Sequence, residues 1–112
     1  MGKPSFSVLW TEAAARDLVN IVEYIAVDSE AGAEKVKSRI HKKAESLKSV
    51  PNRGRIVPEL AVHGLSAWRE LIVKPYRLVY RFDKDEVYVL GVFDGRRDLE
   101  DLLLERLTRP TE

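Results

Sequence analysis

The sequence has no cysteine, only two histidines and no long apolar run, and its 19 lysines and arginines nearly cancel 18 aspartates and glutamates. Each shortage removes a class of function. Without cysteine there is no disulfide scaffold, thiol nucleophile or thiolate metal site. His41 and His63 stand far apart in the chain, which argues against a histidine-based zinc site. No stretch approaches the roughly 20 apolar residues of a membrane-spanning helix, and the start Met1-Gly2-Lys3-Pro4 lacks the apolar core of a secretory signal. The expectation is a soluble cytoplasmic protein with no membrane contact, no metal and no cofactor. A formal net charge of +1 argues against coating nucleic acid by bulk attraction. Gly91 and Gly95 lie outside any strand-to-helix glycine fingerprint, so no phosphate-cradling loop is present. What remains, at 112 residues, is one domain with room for a real core. Its expected extent is residues 1–107, followed by a polar tail over 108–112.

Hydrophobic periodicity orders the chain. Phe6 to Trp10 is a short β-favouring run that stops at Thr11, a good helix N-cap with Glu12 in the first turn. Ala14, Leu18, Ile21, Val22 and Ile25 then recur at helical spacing to about Asp28. Asp28 or Ser29 can cap a second helix with the stripe Val36, Ile40, Ala44 and Leu47, and the short connection predicts an antiparallel hairpin. Pro51-Asn52-Arg53-Gly54 ends the helical region, and the rest to Phe93 reads as sheet and loops. Strands are expected over Ala67–Val73, Tyr76–Phe82 and Glu86–Phe93, joined by turns short enough for antiparallel neighbours. In the last strand both alternating sets, Val87, Val89, Phe93 and Tyr88, Leu90, Val92, are apolar, which predicts a central strand buried on both faces. Leu99, Leu102, Leu103 and Leu107 suggest a short final helix. The fold class is α+β, a helical hairpin on an antiparallel sheet in the order β-α-α-β-β-β-α.

The even charge balance hides an asymmetry. Residues 35–55 sum to +7, with Lys35, Lys37, Arg39, Lys42, Lys43, Lys48, Arg53 and Arg55 against Glu45 alone, whereas residues 82–105 sum to −5. The basic segment is either a solvated helix face or a contact for phosphates or an acidic partner. It holds no aromatic residue, so base stacking there is unlikely by composition. If Lys74-Pro75 is a two-residue turn, Glu70 lies opposite Val79, with Arg77 and Arg81 diagonally beside it. That face is then either an ion-pair ladder or an electropositive surface for phosphate or carboxylate. Neither histidine has a nucleophile near it in sequence. Trp10, Trp68, Tyr76, Tyr80 and Phe82 read as core or interface anchors.

Taken in order, Val8-Leu9-Trp10, Ala13-Ala14, Asp17-Leu18, Tyr24-Ile25, Gly54-Arg55, Val57-Pro58-Glu59-Leu60, Trp68-Arg69-Glu70-Leu71, Tyr76-Arg77-Leu78-Val79-Tyr80-Arg81 and Val92 to Arg97 resemble the RelE/ParE superfamily of toxins from bacterial toxin-antitoxin modules. The resemblance implies the same β-α-α-β-β-β fold. RelE-like members cut messenger RNA on the ribosome with a strand lysine pair, arginines and a C-terminal tyrosine. Carried over by motif, the arginines fall on Arg77 and on Arg96 or Arg97, and the lysine pair falls on Arg69 and Leu71, or on Trp68 and Glu70. The tyrosine position falls near Leu102, and no tyrosine follows Tyr88. A related nuclease type with a C-terminal His-Tyr pair lacks that pair here. The resemblance therefore favours the ParE-like branch, which binds DNA gyrase and traps its cleavage complex; if the chain is a nuclease, its residues are Arg69, Arg77 and Arg96. A third reading is a non-toxic partner in an antitoxin-operator complex. The implied partners are a ParD/RelB-like antitoxin, in an oligomeric complex, and DNA gyrase, with ribosome and messenger RNA as the alternative. Partner-contact candidates are Lys35, Arg39, Lys42, Lys43, Arg53, Arg55, Trp68, Tyr80, Arg81 and Arg97.

Overall fold

The computed structural model describes residues 5–108. In chain order the elements are β1 (Ser7–Trp10), α1 (Glu12–Ala26), α2 (Glu30–Glu45) with a 3-10 turn over Ser46–Lys48, β2 (Arg55–Ile56), α3 (Pro58–Ala61), β3 (Arg69–Val73), β4 (Tyr76–Asp83), β5 (Glu86–Asp94) and α4 (Glu100–Thr108). Thr11 stays extended and its hydroxyl accepts the Ala14 N–H, starting α1, while the same hydroxyl donates to the Val89 carbonyl at 3.0 Å. One side chain thus caps a helix and ties it to the sheet. Of the two cap candidates for α2 it is Ser29 that serves, accepting the Gly32 N–H at 2.9 Å.

The sheet runs β1-β5-β4-β3-β2. β1 joins β5 in parallel and every other pair is antiparallel, with Glu70 opposite Val79 as the two-residue turn requires. The α1/α2 hairpin covers one face, where Leu18, Ile40, Ala44 and Leu47 meet Leu78, Tyr80, Val87 and Val89. On the other face α3, α4 and the residue before α4 place Leu60, Leu103 and Leu99 against Val79, Leu90 and Phe93. Fully buried side chains such as Ile40, Leu47 and Leu78 contribute on the order of 2 kcal/mol each to burial. Among the described residues no helix is long and apolar enough to cross a membrane.

Four details depart from the sequence expectations. The segment read as sheet and loops contains a helical turn, α3, whose start is favoured by Pro58 at its first position. A two-residue strand, β2, pairs with Arg69 and Glu70; it is too short to carry a periodic signal. β5 does not alternate throughout: the register moves from Val79 opposite Gly91 to Tyr80 opposite Val89, leaving Leu90 as an extra residue. The bulge puts Val92 with Val87 and Val89 against the hairpin, and Phe93 with Leu90 against α4. Finally, α4 runs through Thr108, one residue into the expected tail; residues 109–112 lie outside the described residues.

Candidate functional site

The polar centre of the sheet lies on the face shared with α3. Glu70 on β3 is 1% exposed, and Arg77 on β4 is 8% exposed. Arg77 Nε donates to Glu70 Oε1 at 2.6 Å, and its two terminal nitrogens donate to the two carboxylate oxygens of Glu59 at 2.7 and 2.6 Å. Arg55, directly across from Glu70 on β2, donates from Nε to Glu70 Oε2 at 2.5 Å. The result is a chain of alternating charge, Glu59–Arg77–Glu70–Arg55, in which both oxygens of the buried carboxylate are satisfied. The paired carboxylates push the Arg77 pKa upward, and the Arg77 guanidinium holds Glu59 below its usual value despite partial burial.

Of the two arginines expected beside Glu70, only Arg77 is bonded to it. Arg55 sits directly opposite the carboxylate, and a directly opposed residue is several ångströms nearer than a diagonal one. Arg81, a diagonal neighbour, is left with Asp83 at 4.0 Å and lies over the Trp68 ring at 5.8 Å. Its Nε is buried without a hydrogen-bond partner.

Tyr80 is no contact residue: it is fully buried in the hairpin-side core. Its hydroxyl accepts the Gly54 N–H at 2.9 Å and donates to the Pro51 carbonyl at 2.7 Å, pinning the Pro51–Gly54 turn over the sheet. Arg69 completes the clip by donating to the Gly54 carbonyl at 2.8 Å. Position 54 must be glycine for this approach, since a Cβ there would stand 2.5 Å from the Glu70 carbonyl and 2.7 Å from the Tyr80 hydroxyl.

The three arginines a nuclease would need are therefore in different circumstances. Arg69 holds backbone, and Arg77 is clamped. Arg96 is exposed and doubly bonded to Asp94, whose pKa it holds at about 2 through that hydrogen bond. Arg77 and Arg96 do line one hollow of about 410 Å³ with Arg55, Lys74 and Tyr76. Burial raises the Tyr76 pKa, which opposes its ionisation. His63 bonds Glu100 at 2.7 Å, tying the turn after α3 to the start of α4. Leu102, at the tyrosine position, packs among the apolar side chains beneath α4. Among the described residues no group of three or more His, Asp or Glu gathers to hold a metal ion.

Of the partner candidates, Lys35, Arg39, Lys42, Arg53, Arg55 and Arg97 are exposed, while Lys43, Trp68 and Arg81 are half-buried. A groove of about 440 Å³ lies where β1 meets the hairpin, lined by Trp10, Ala15, Leu18, Val19, Val22, Glu23, Lys37 and His41. Trp10 and His41 stack at 5.7 Å, and Val19 is 52% exposed beside them. Leu18 and Val22 of the α1 stripe line the groove, joined by Ala15 and Val19 from just outside the stripe.

A family model described as the ParE toxin of the type II toxin-antitoxin system, parDE, matches residues 8–99. No curated protein sequence matches the chain. Solved structures that share the fold include three from toxin-antitoxin systems. The chromosomal ParDE toxin-antitoxin system from P. aeruginosa is 24% identical with a TM-score of 0.64, over 82% of this chain and 98% of that one. The RelBE2 toxin-antitoxin complex from Mycobacterium tuberculosis is 22% identical with a TM-score of 0.61, over 83% and 94%. A mutant E. coli toxin RelE in the free state is 18% identical with a TM-score of 0.63, over 94% and 97%. With most of its length matched by that family model, the chain belongs to the ParE toxins of type II toxin-antitoxin systems.

Proposed function

We propose that this toxin arrests growth by binding DNA gyrase and trapping its cleavage complex, and that a cognate antitoxin neutralises it. The observation that carries the reading is the Glu59 clamp on Arg77. Ribosome-dependent cleavage needs guanidinium and ammonium groups free to meet a pentacoordinate phosphate, and a group able to move a proton. Here the strand arginine is neutralised by two carboxylates, Arg69 is committed to backbone, and the tyrosine position is an apolar Leu102. The family match supports the same branch.

The groove at β1 and the hairpin supports the antitoxin partner. Its apolar floor with Lys37 and Glu23 at the rim suits one amphipathic helix laid along it. The experiment pairs two assays on the purified toxin: plasmid cleavage and supercoiling by gyrase, and RNA cleavage on programmed ribosomes. Gyrase-dependent linear DNA with intact RNA is the expected result. Cut RNA beside unaffected gyrase would sink the reading.

A further inference from the structure

The cations of α2 divide by flank. At 100° per residue, with the buried Ile40 facing the core, Lys37 and His41 fall on the flank that lines the groove with α1. Lys35, Arg39, Lys42 and Lys43 fall together on the opposite flank. That second flank continues onto the sheet, because Arg39 Nη2 donates to the Lys74 carbonyl at 3.3 Å and so brings α2 against the β3–β4 turn. Among the described residues none of these four α2 cations, nor Lys74, has a carboxylate partner. The band is therefore uncompensated charge, unlike the clamped arginines beside it.

We infer that this band, from Lys35 on α2 to Lys74 at the β3–β4 turn, binds the phosphate backbone of duplex DNA. Two features choose phosphate over an acidic protein segment. Protein interfaces are anchored by buried apolar or aromatic side chains, and this flank of α2 offers none: its apolar residues Val36, Ile40 and Ala44 turn inward. Cations one helical turn apart, about 6 Å, instead present a rigid row of point charges, which suits a regular polyanion and carries no sequence information. The inference rests on the gyrase reading only in naming the DNA as the segment that gyrase holds; the groove on the other flank stays available to the antitoxin.

The test is fluorescence anisotropy of a labelled 20-base-pair duplex with the full-length toxin across a salt series, which needs no gyrase. Expected is binding at low salt whose affinity falls with salt at a logarithmic slope of about −3 to −4, as for four neutralised phosphates. Replacing Lys35, Arg39 and Lys42 together by Gln should weaken binding at least 10-fold and flatten the slope by about 3. Arg39→Glu should weaken binding severalfold, whereas Lys84→Glu, the same charge change at the β4–β5 turn, should leave it unchanged. Equal loss from Lys84→Glu, absence of low-salt binding, or tighter binding of poly-glutamate than of the duplex would overturn the inference. Duplex binding without gyrase inhibition would refute the gyrase reading alone. Gyrase inhibition by the folded triple Gln variant at wild-type potency would refute the DNA contact alone.

Discussion

Arg77 shows how one residue type can keep its place in a family motif while its surroundings change what it can do. A guanidinium offers five N–H donors in a fixed fork, and here Glu59 accepts from the two terminal nitrogens while Glu70 accepts from Nε. Removing Arg77 alone would strand the Glu70 carboxylate with only Arg55, so the arginine is first of all a condition of burying Glu70. Glu59, at the partly exposed end, gives this cluster a pH dependence. Its folded pKa lies below the ordinary 4.5, so its stabilisation is complete above that value and is lost as pH falls through the lower folded value. Glu59→Gln should therefore lower stability by about 1 kcal/mol at pH 7. The gap in melting temperature from wild type should narrow as pH falls below 4.5 and through the lowered folded value; a gap that persists undiminished in acid would contradict the pairing.

Among the elements, the sheet edge beside β5 is the most exposed to failure. β1 stops at Trp10, opposite Val89, and beyond that point the β5 edge has no strand beside it. Two side chains stand in for one. Asp17 on α1 accepts the Val92 N–H at 3.0 Å, Arg106 on α4 donates to the Leu90 carbonyl at 3.1 Å, and the two side chains pair with each other. Gly91 leaves room for them, since a Cβ there would meet both within 2.8 Å. Asp17→Ala should leave the Val92 amide without its acceptor and the Arg106 guanidinium with the Leu90 carbonyl alone, costing about 1–3 kcal/mol, and should loosen α4. Hydrogen exchange is the check: amides of α4 should lose protection before those of α2, and unchanged α4 protection would show that the clasp is not what holds that helix. The same regions mark where sequence reading succeeds and fails. The helices, the three long strands and the Glu70–Val79 register follow from periodicity and turn length. The bulge at Leu90 and the two-residue β2 are set by tertiary contacts, namely the α4 core and the Arg55–Glu70 pair, and the helix at Pro58 is a single turn, too short for a periodic signal. The candidate site was legible as residue types but not as pairings: Arg55, not Arg81, takes the second oxygen of Glu70 because β2 places it directly opposite.

For the molecule as a whole, the near-neutral total charge is a cancellation between surfaces with different tasks. The α1/α2 layer carries an apolar groove on one flank and an unpaired basic band on the other, while the opposite layer spends its charges on internal pairs: Arg77, Arg55 and Arg106 each meet a carboxylate. A domain organised in this way fits the docking role proposed for it. On the proposed function, Arg77 supports the fold of a gyrase-binding toxin and performs no chemistry on phosphate. A buried ion pair can be exchanged for apolar side chains of similar volume with little loss of stability, which separates support from chemistry. The most direct measurement is gyrase-dependent linearisation of supercoiled plasmid by purified toxin carrying Glu70→Leu with Arg77→Met, its fold checked by circular dichroism. Linear DNA at wild-type levels is the expected result; a folded double variant without effect on gyrase would contradict a purely supporting role for Arg77.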